Sequence, residues 1–240
     1  MNKSSSSKPL ERVNTLTFDI FGTVLNLSGS IVPRLEKLLR SCKTPDSIKG
    51  TDVWQHWRQR QRIEQYQENI LMLGHSGYLA VKKKSLIYTL RTKKIKFEDD
   101  QIEDFMRVYN DLIPFEDAIN GLYRLGKKYK LVILSNGEES FLKYLAEKKI
   151  GIDFHAIFSA ETVGQFKPHP SVYRFAAKNL NLEPNEIMMV ASHSFDILGA
   201  RHSGFRAAYV NRYDLPYDES NFEPDIVSED FNKLCIKLNL

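Results

Sequence analysis

Three short apolar runs, Leu16-Thr17-Phe18, Leu131-Val132-Ile133-Leu134 and Ile187-Met188-Met189-Val190, each stop abruptly at polar or small residues. Runs bounded in this way read as strands buried on both faces. Weaker strands are expected at 156–158 and 206–210, and the intervening segments 141–149 and 171–179 carry a helical period. Strand and helix in alternation predict an α/β fold on a parallel sheet. Ligands of such sheets lie beyond the carboxyl ends of the strands. The residues that end the runs, Asp19, Ser135-Asn136 and Ser192-His193, are therefore expected to meet in one crevice although far apart in sequence.

Residues 27–112 follow another pattern. Strand-like runs are missing, and helical periods fill 31–40, 53–71, 78–90 and 98–112. Gly74 and Gly77 punctuate the middle, and Pro114 closes the segment. An insertion directly after the first strand hangs over that strand's carboxyl end and roofs the crevice. The expected organisation is a flexible tail over 1–12, a catalytic core of 13–26 and 113–240, and a helical cap over 27–112.

Composition narrows the setting. A chain of 240 residues with 42% hydrophobic side chains and mean hydropathy −0.38 can bury a full core, which excludes wholesale disorder. The 34 basic and 30 acidic side chains leave a net charge of +4, too small over this length for a nucleic-acid binder. The charge is uneven: residues 27–112 hold 16 Lys/Arg against 11 Asp/Glu, and the remainder 18 against 19. One lobe is thus suited to attract anions. Cys42 and Cys235 have no metal-ligand spacing, so a reducing cytoplasm is the expected location. The polar, serine-rich start from Met1 to Lys8 is unlike a signal peptide, and no run approaches the eighteen or so apolar residues of a membrane span.

Phe18-Asp19-Ile20-Phe21-Gly22-Thr23 places a carboxylate at the end of an apolar strand, with a glycine that lets the backbone turn. Alone, this fits an ordinary strand-ending turn. Its order relative to Ser135-Asn136-Gly137, Phe166-Lys167-Pro168 and Ala191-Ser192-His193-Ser194-Phe195-Asp196 adds information. With Trp57-Arg58-Gln59 in the helical segment and Tyr173 downstream of Lys167, these segments resemble the haloacid dehalogenase superfamily, and within it the L-2-haloacid dehalogenase branch, from Val13 to about Pro224. The resemblance implies a Rossmann-like α/β core with an inserted helical cap, and, as is common in the family, a homodimer.

It also implies roles. Superfamily phosphatases carry a second aspartate two positions after the first, as a general acid for the leaving alcohol, a contribution of about 10²–10⁴-fold. Phe21 cannot donate that proton, and a halide leaves without one, so the implied reaction is hydrolytic dehalogenation of a small 2-halo acid. Ionised Asp19 attacks C2 and forms an ester that water cleaves, with no metal and no cofactor. Lys167 keeps Asp19 ionised; at about 4 Å and an effective dielectric near 20 the attraction is roughly 4 kcal/mol. Asp196 completes the catalytic set. Arg58 and Asn136 receive the halide, Ser135 and backbone N–H groups hold the substrate carboxylate, and Gln59 accompanies Arg58. Thr23 is expected on Asp19, and Tyr173 on Lys167 or Asp19. Phe195 forms an aromatic wall, while Ser192 and His193 serve the deacylation step in a loop where Ala191 leaves one hydroxyl fewer than family members often have.

Two alternatives stay open. A magnesium-dependent phosphatase would use Asp19 and Asp196, but Ser192 stands where the superfamily pattern places a third ligand carboxylate. A non-catalytic anion-binding member is the other. Arg62, one helical turn after Arg58, stands where haloacid enzymes tend to place an apolar residue; directed inward it favours a second anionic group or a substrate unlike chloropropionate, and directed outward it carries no consequence. Lys82-Lys83-Lys84 is expected to be a solvated face.

Overall fold

A computed structural model of the chain describes residues 10–217 and 219–240. Strands β1 (Thr15–Phe18), β2 (Lys130–Ser135), β3 (Ala156–Ser159), β4 (Ile187–Ala191), β5 (Arg206–Val210) and β6 (Ile226–Ser228) form one sheet in the order β3-β2-β1-β4-β5-β6, every neighbouring pair parallel. Strand β6 is an addition to the expected set; at three residues it offers no run to read. The central strands are buried on both faces. Leu16, Phe18, Ile133, Met188 and Val190 join one apolar cluster, and Leu134, Ile187, Met189 and Ala191 join the other.

Helices α1 (Leu27–Ser41), α2 (Gly50–Ile70), α3 (Tyr78–Thr92) and α4 (Asp99–Met106) occupy the chain between β1 and β2. The helix expected over 98–112 is α-helical only to Met106 and continues as a 3₁₀ turn over Arg107–Asp111. Helix α5 (Glu116–Leu125) returns to the sheet, where it packs with α9 (Phe231–Lys237); Phe231 stacks on Phe18 with ring centroids 6.0 Å apart. Helix α6 (Glu139–Leu145) ends earlier than its apolar period suggests and widens into a π turn over Ala146–Ile150. Helices α7 (Pro170–Leu180) and α8 (Ser194–His202) cover the opposite face through Val172, Tyr173, Ala176, Ile197 and Ala200. Of the tail expected over 1–12, residues 1–9 lie outside the described residues. Leu10 packs against the core and its carbonyl accepts from Val13 N at 3.1 Å, so the described end of that segment is held in place.

The sheet grows outward from β1, through β2 and β3 on one side and β4, β5 and β6 on the other. This direction reversal opens the crevice at the carboxyl ends of β1, β2 and β4. The end of α2 reaches that crevice from above. Asn69 Nδ2 donates to the Phe166 carbonyl at 2.7 Å, and Phe166 N donates back to Asn69 Oδ1 at 2.8 Å. His75 Nε2 donates to the Asn136 carbonyl at 2.9 Å, with its ring stacked on Phe166 at 3.8 Å.

Candidate active site

Asp19 leaves β1 with its N–H donating to the Val190 carbonyl at 3.1 Å, and the residue is 6% exposed. The turn that follows requires glycine at position 22. Its φ is +93°, and a Cβ there would stand 2.9 Å from Tyr213 Oη and 3.0 Å from His193 Cε1. Each Asp19 oxygen is held. Oδ2 accepts from Thr23 Oγ1 at 2.8 Å and from His193 Nδ1 at 3.3 Å, and Oδ1 accepts from Lys167 Nζ at 3.2 Å. With one donor against two, Oδ1 is the oxygen that keeps a lone pair for attack.

Lys167, 1% exposed, uses all three of its protons: on Asp19 Oδ1, on the Leu134 carbonyl at 2.8 Å and on Asp196 Oδ2 at 2.5 Å. Burial alone would lower its pKa, but the two carboxylates hold it above the usual lysine value. Burial would likewise raise Asp19; the Lys167 charge, with His193 and Thr23, instead holds its carboxyl well below the ordinary range. Asp196 is fully buried in the first turn of α8. Burial pushes it up to about 6, with Lys167 opposing and Asp19 adding to the rise. Tyr173 Oη donates to Asp196 Oδ1 at 2.7 Å, so it orients Asp196 rather than Lys167 or Asp19 and stays out of the cavity.

His193 joins core to cap. Arg58 Nη2 lies 3.2 Å from His193 Nε2, and a guanidinium has only donors, so Nε2 accepts and Nδ1 carries the proton given to Asp19. Burial pushes the imidazole pKa down to about 4; Asp19 opposes that fall, and Arg58 and Arg62 add to it. The His193–Asp19 contact is thus a hydrogen bond from a neutral ring at pH 7.

A cavity of about 30 Å³ is enclosed by Asp19, Phe21, Asn136, Lys167, His193 and Phe195 from the core, and by Arg58, Gln61, Arg62, Gln65, Tyr78 and Lys82 from α2 and α3. Phe21 stacks on Tyr78 at 4.1 Å. Asn136 Oδ1 accepts from Lys167 N at 2.7 Å. The hydroxyls of Ser135 and Ser192 are buried without a protein partner, but neither residue lines the cavity as expected: Ser135 lies behind its wall and Ser192 borders the outer groove, where its N–H donates to Thr23 Oγ1 at 2.9 Å. Thr23 is therefore a support of Asp19 and does not line the cavity.

Gln59 requires a correction. It is exposed and lines an outer groove of about 480 Å³, together with Trp54 and Tyr213, because it lies about 100° around α2 from Arg58. Positions 58, 61, 62 and 65 share the inward face, and Gln61 and Gln65 are the residues that spacing could have found. Arg62 sits solvent-exposed at the boundary of cavity and groove, its guanidinium 5.2 Å over the Phe195 ring. The expected solvated face also needs correction. Lys83 pairs with Glu103 and Lys84 with Glu64, but Lys82 is 2% exposed and faces the cavity beside Tyr78.

Two carboxylates already joined by an ammonium fit a magnesium ion poorly, and among the described residues no cluster of three His, Cys, Asp or Glu side chains is placed to hold a metal. None of their helices is long and apolar enough to cross a membrane.

An α/β site built on a strand-terminal carboxylate and covered by α2 and α3 defines the class, and comparison with known proteins gives the family. Residues 13–204 match the family model of haloacid dehalogenase-like hydrolases, and the chain belongs to that family. It is 31% identical over 201 residues to the (S)-2-haloacid dehalogenase of Xanthobacter autotrophicus, covering 83% of this chain and 76% of that one. It is 27% identical to (S)-2-haloacid dehalogenase 4A of Burkholderia cepacia, over 90% of each. The solved L-2-haloacid dehalogenase of Xanthobacter autotrophicus superposes with a TM-score of 0.84 at 25% identity, over 95% of this chain and 98% of that one.

Proposed function

We propose that the protein hydrolyses the carbon–halogen bond of a small L-2-halo carboxylic acid through an ester on Asp19. The observation that carries this reading is an ionised, buried carboxylate whose open oxygen faces a cavity with the hydrocarbon Phe21 where an alcohol leaving group would need an acid. In the first step Asp19 Oδ1 bonds to C2 and the halide departs with its electron pair toward Arg58 and Asn136. In the second step water attacks the Asp19 carbonyl carbon and the ester bond breaks. The 2-hydroxy acid leaves, and one proton is released per turnover. His193, fixed as the Nδ1–H tautomer, steadies Asp19 Oδ2 while Asp196 and Tyr173 keep Lys167 in place.

In this reading residues 13–26 and 113–240 are the catalytic core and 27–112 the cap, and the protein works in the cytoplasm, in keeping with the free thiols of Cys42 and Cys235. A homodimer belongs to the same proposal, and light scattering checks it.

Turnover of L-2-chloropropionate in heavy-oxygen water, followed by peptide mass spectrometry, tests the reaction. Chloride release with label in the Asp19 side chain is the expected result. Chloride release with label only in the product, or no release from any of a panel of L-2-halo acids, overturns it.

A further inference from the structure

The Lys82 side chain is a buried amine without a counter-ion. Among the described residues no carboxylate oxygen lies within ion-pair distance of its Nζ, and its one recorded contact is the face of the Tyr78 ring at 4.1 Å. A cation taken out of water without a partner is expensive. Burial, with the charges of Arg58 and Arg62, drives its pKa well below the lysine value, with Asp19 and Glu138 opposing weakly. Beside it on the same cavity wall stand two more unanswered donors: the side-chain amide nitrogens of Gln61 and Gln65, 1% and 5% exposed, have no hydrogen-bond partner. Gln61 is turned this way because its Oε1 accepts from Arg58 Nη1 at 3.0 Å. Arg62 stands at the mouth.

None of these groups is needed to hold a halide or a single carboxylate at the core end, which Arg58, Asn136 and Lys167 already line. We propose that Lys82, Gln61 and Gln65, with Arg62 at the mouth, form a second anion subsite, and that the substrate is a 2-halo dicarboxylic acid whose distal carboxylate docks there. The inference rests on the dehalogenase reading for the chemistry at C2, but the subsite stands on its own geometry. A carboxylate supplies the acceptor that the Lys82 amine and both amides lack, and its charge favours a protonated Lys82. The space left among the side chains is about 30 Å³, room for a water and little more, so the acid takes its place by displacing the flexible tips of Lys82 and Arg62. That tightness favours a short dicarboxylate over a phosphate ester.

Calorimetric titration of the whole protein with butanedioate and with butanoate tests the subsite without any turnover. Butanedioate is expected to bind at least about tenfold more tightly, the discrimination of one charge-assisted contact, and Lys82→Met is expected to abolish the difference. Should Lys82→Met fail to fold, Gln65→Leu reports the same loss. Equal binding of the two acids, or a folded Lys82→Met or Gln65→Leu that keeps the difference, overturns the subsite. In turnover, kcat/KM for L-2-chlorobutanedioate is expected to exceed that for L-2-chlorobutanoate by at least about tenfold. Chloride release from both acids without that preference overturns the subsite and leaves the dehalogenase reading standing. A dicarboxylate preference in binding, with no halide released from any acid, does the reverse.

Discussion

His193 is a titration reporter, because burial disfavours its charged form and protonating its Nε2 also puts a second donor and a second cation 3.2 Å from the guanidinium of Arg58. In the fold its pKa is about 4, against 6.5 for an ordinary histidine. At 1.36 kcal/mol per pH unit that gap corresponds to about 3 kcal/mol. Between pH 6.5 and 4 the unfolded chain binds more protons at this position than the folded one, so the His193 contribution to stability is full above 6.5, declines as pH falls, and levels off below about 4. His193→Gln removes that dependence. Asp196, which burial raises to about 6, titrates in the same window in both proteins and cancels in the difference. Urea unfolding of the two proteins at intervals from pH 7.5 to 4 is expected to show the stability of the native protein relative to His193→Gln shrinking by about 3 kcal/mol across the window. A difference that stays constant with pH would refute the reasoning, since it would mean that Nε2 is open to a proton and Arg58 does not rest on it.

Thr23→Val removes the hydroxyl that donates to Asp19 Oδ2 and accepts from Ser192 N, leaving a buried amide unpaired; unfolding experiments should register a loss of about 1–3 kcal/mol, and halide release should slow with it. Lys167→Met leaves Asp19 and Asp196 as neighbouring uncompensated carboxylates, so the acid limb of kcat/KM should move upward through the Asp19 pKa and the fold should lose about 3–5 kcal/mol; an acid limb unchanged from the native enzyme would separate Lys167 from Asp19. Tyr173→Phe removes a donor from the Asp196 carboxyl, whose pKa should rise further above about 6, read as an upfield or downfield carboxyl carbon titration by NMR. Gln59→Ala, in the outer groove, should leave kcat/KM unchanged within twofold or so, as ordinary surface substitutions do.

The core was legible because its strands are short, apolar and ended by the residues that line the cavity: Asp19, Asn136 and His193 meet where strand order alone puts them. Lys167 was legible only through its neighbours in sequence, since nothing local marks a lysine whose three protons go to β2, β1 and α8. The cap was less readable. Polar helices with several residues buried, such as Gln61, Glu64, Gln65 and Glu68 on α2, carry little apolar period, so the inward face had to be taken from a three-residue match. That match selects Arg58, which lines the cavity, and Gln59, which faces the outer groove. The helical interval of three and four from Arg58 was present in the sequence and selects Gln61, Arg62 and Gln65 instead. Lys82 was hidden by Lys83 and Lys84: a run of three like residues reads as a solvated face, yet on a helix its first member lies about 200° from its third, and only Lys82 falls on the buried side with Tyr78, Val81 and Ser85.

Charge explains why the two halves must meet for the reaction to run. The core contributes Asp19, Asp196 and Lys167, a net charge of −1 with both carboxylates ionised, and an anionic acid approaching Asp19 is repelled by the nucleophile it must meet. Lowering the Asp19 pKa keeps it reactive over a wide pH range, but it makes that repulsion permanent. The opposing charge comes from α2 and α3. In the proposed reaction Arg58, seated on His193, brings a cation to the halide side of Asp19, and its donors engage developing negative charge more strongly as the carbon–halogen bond lengthens. Asn69 and His75, bonded to Phe166 and Asn136, fix the height at which that cation sits. Weakening this seam by Asn69→Leu should therefore raise KM and lower kcat together while Asp19 stays ionised, measured as halide release across a substrate series at pH 7. A change in KM alone would mean that the seam only admits substrate and has no part in holding Arg58 over the leaving group.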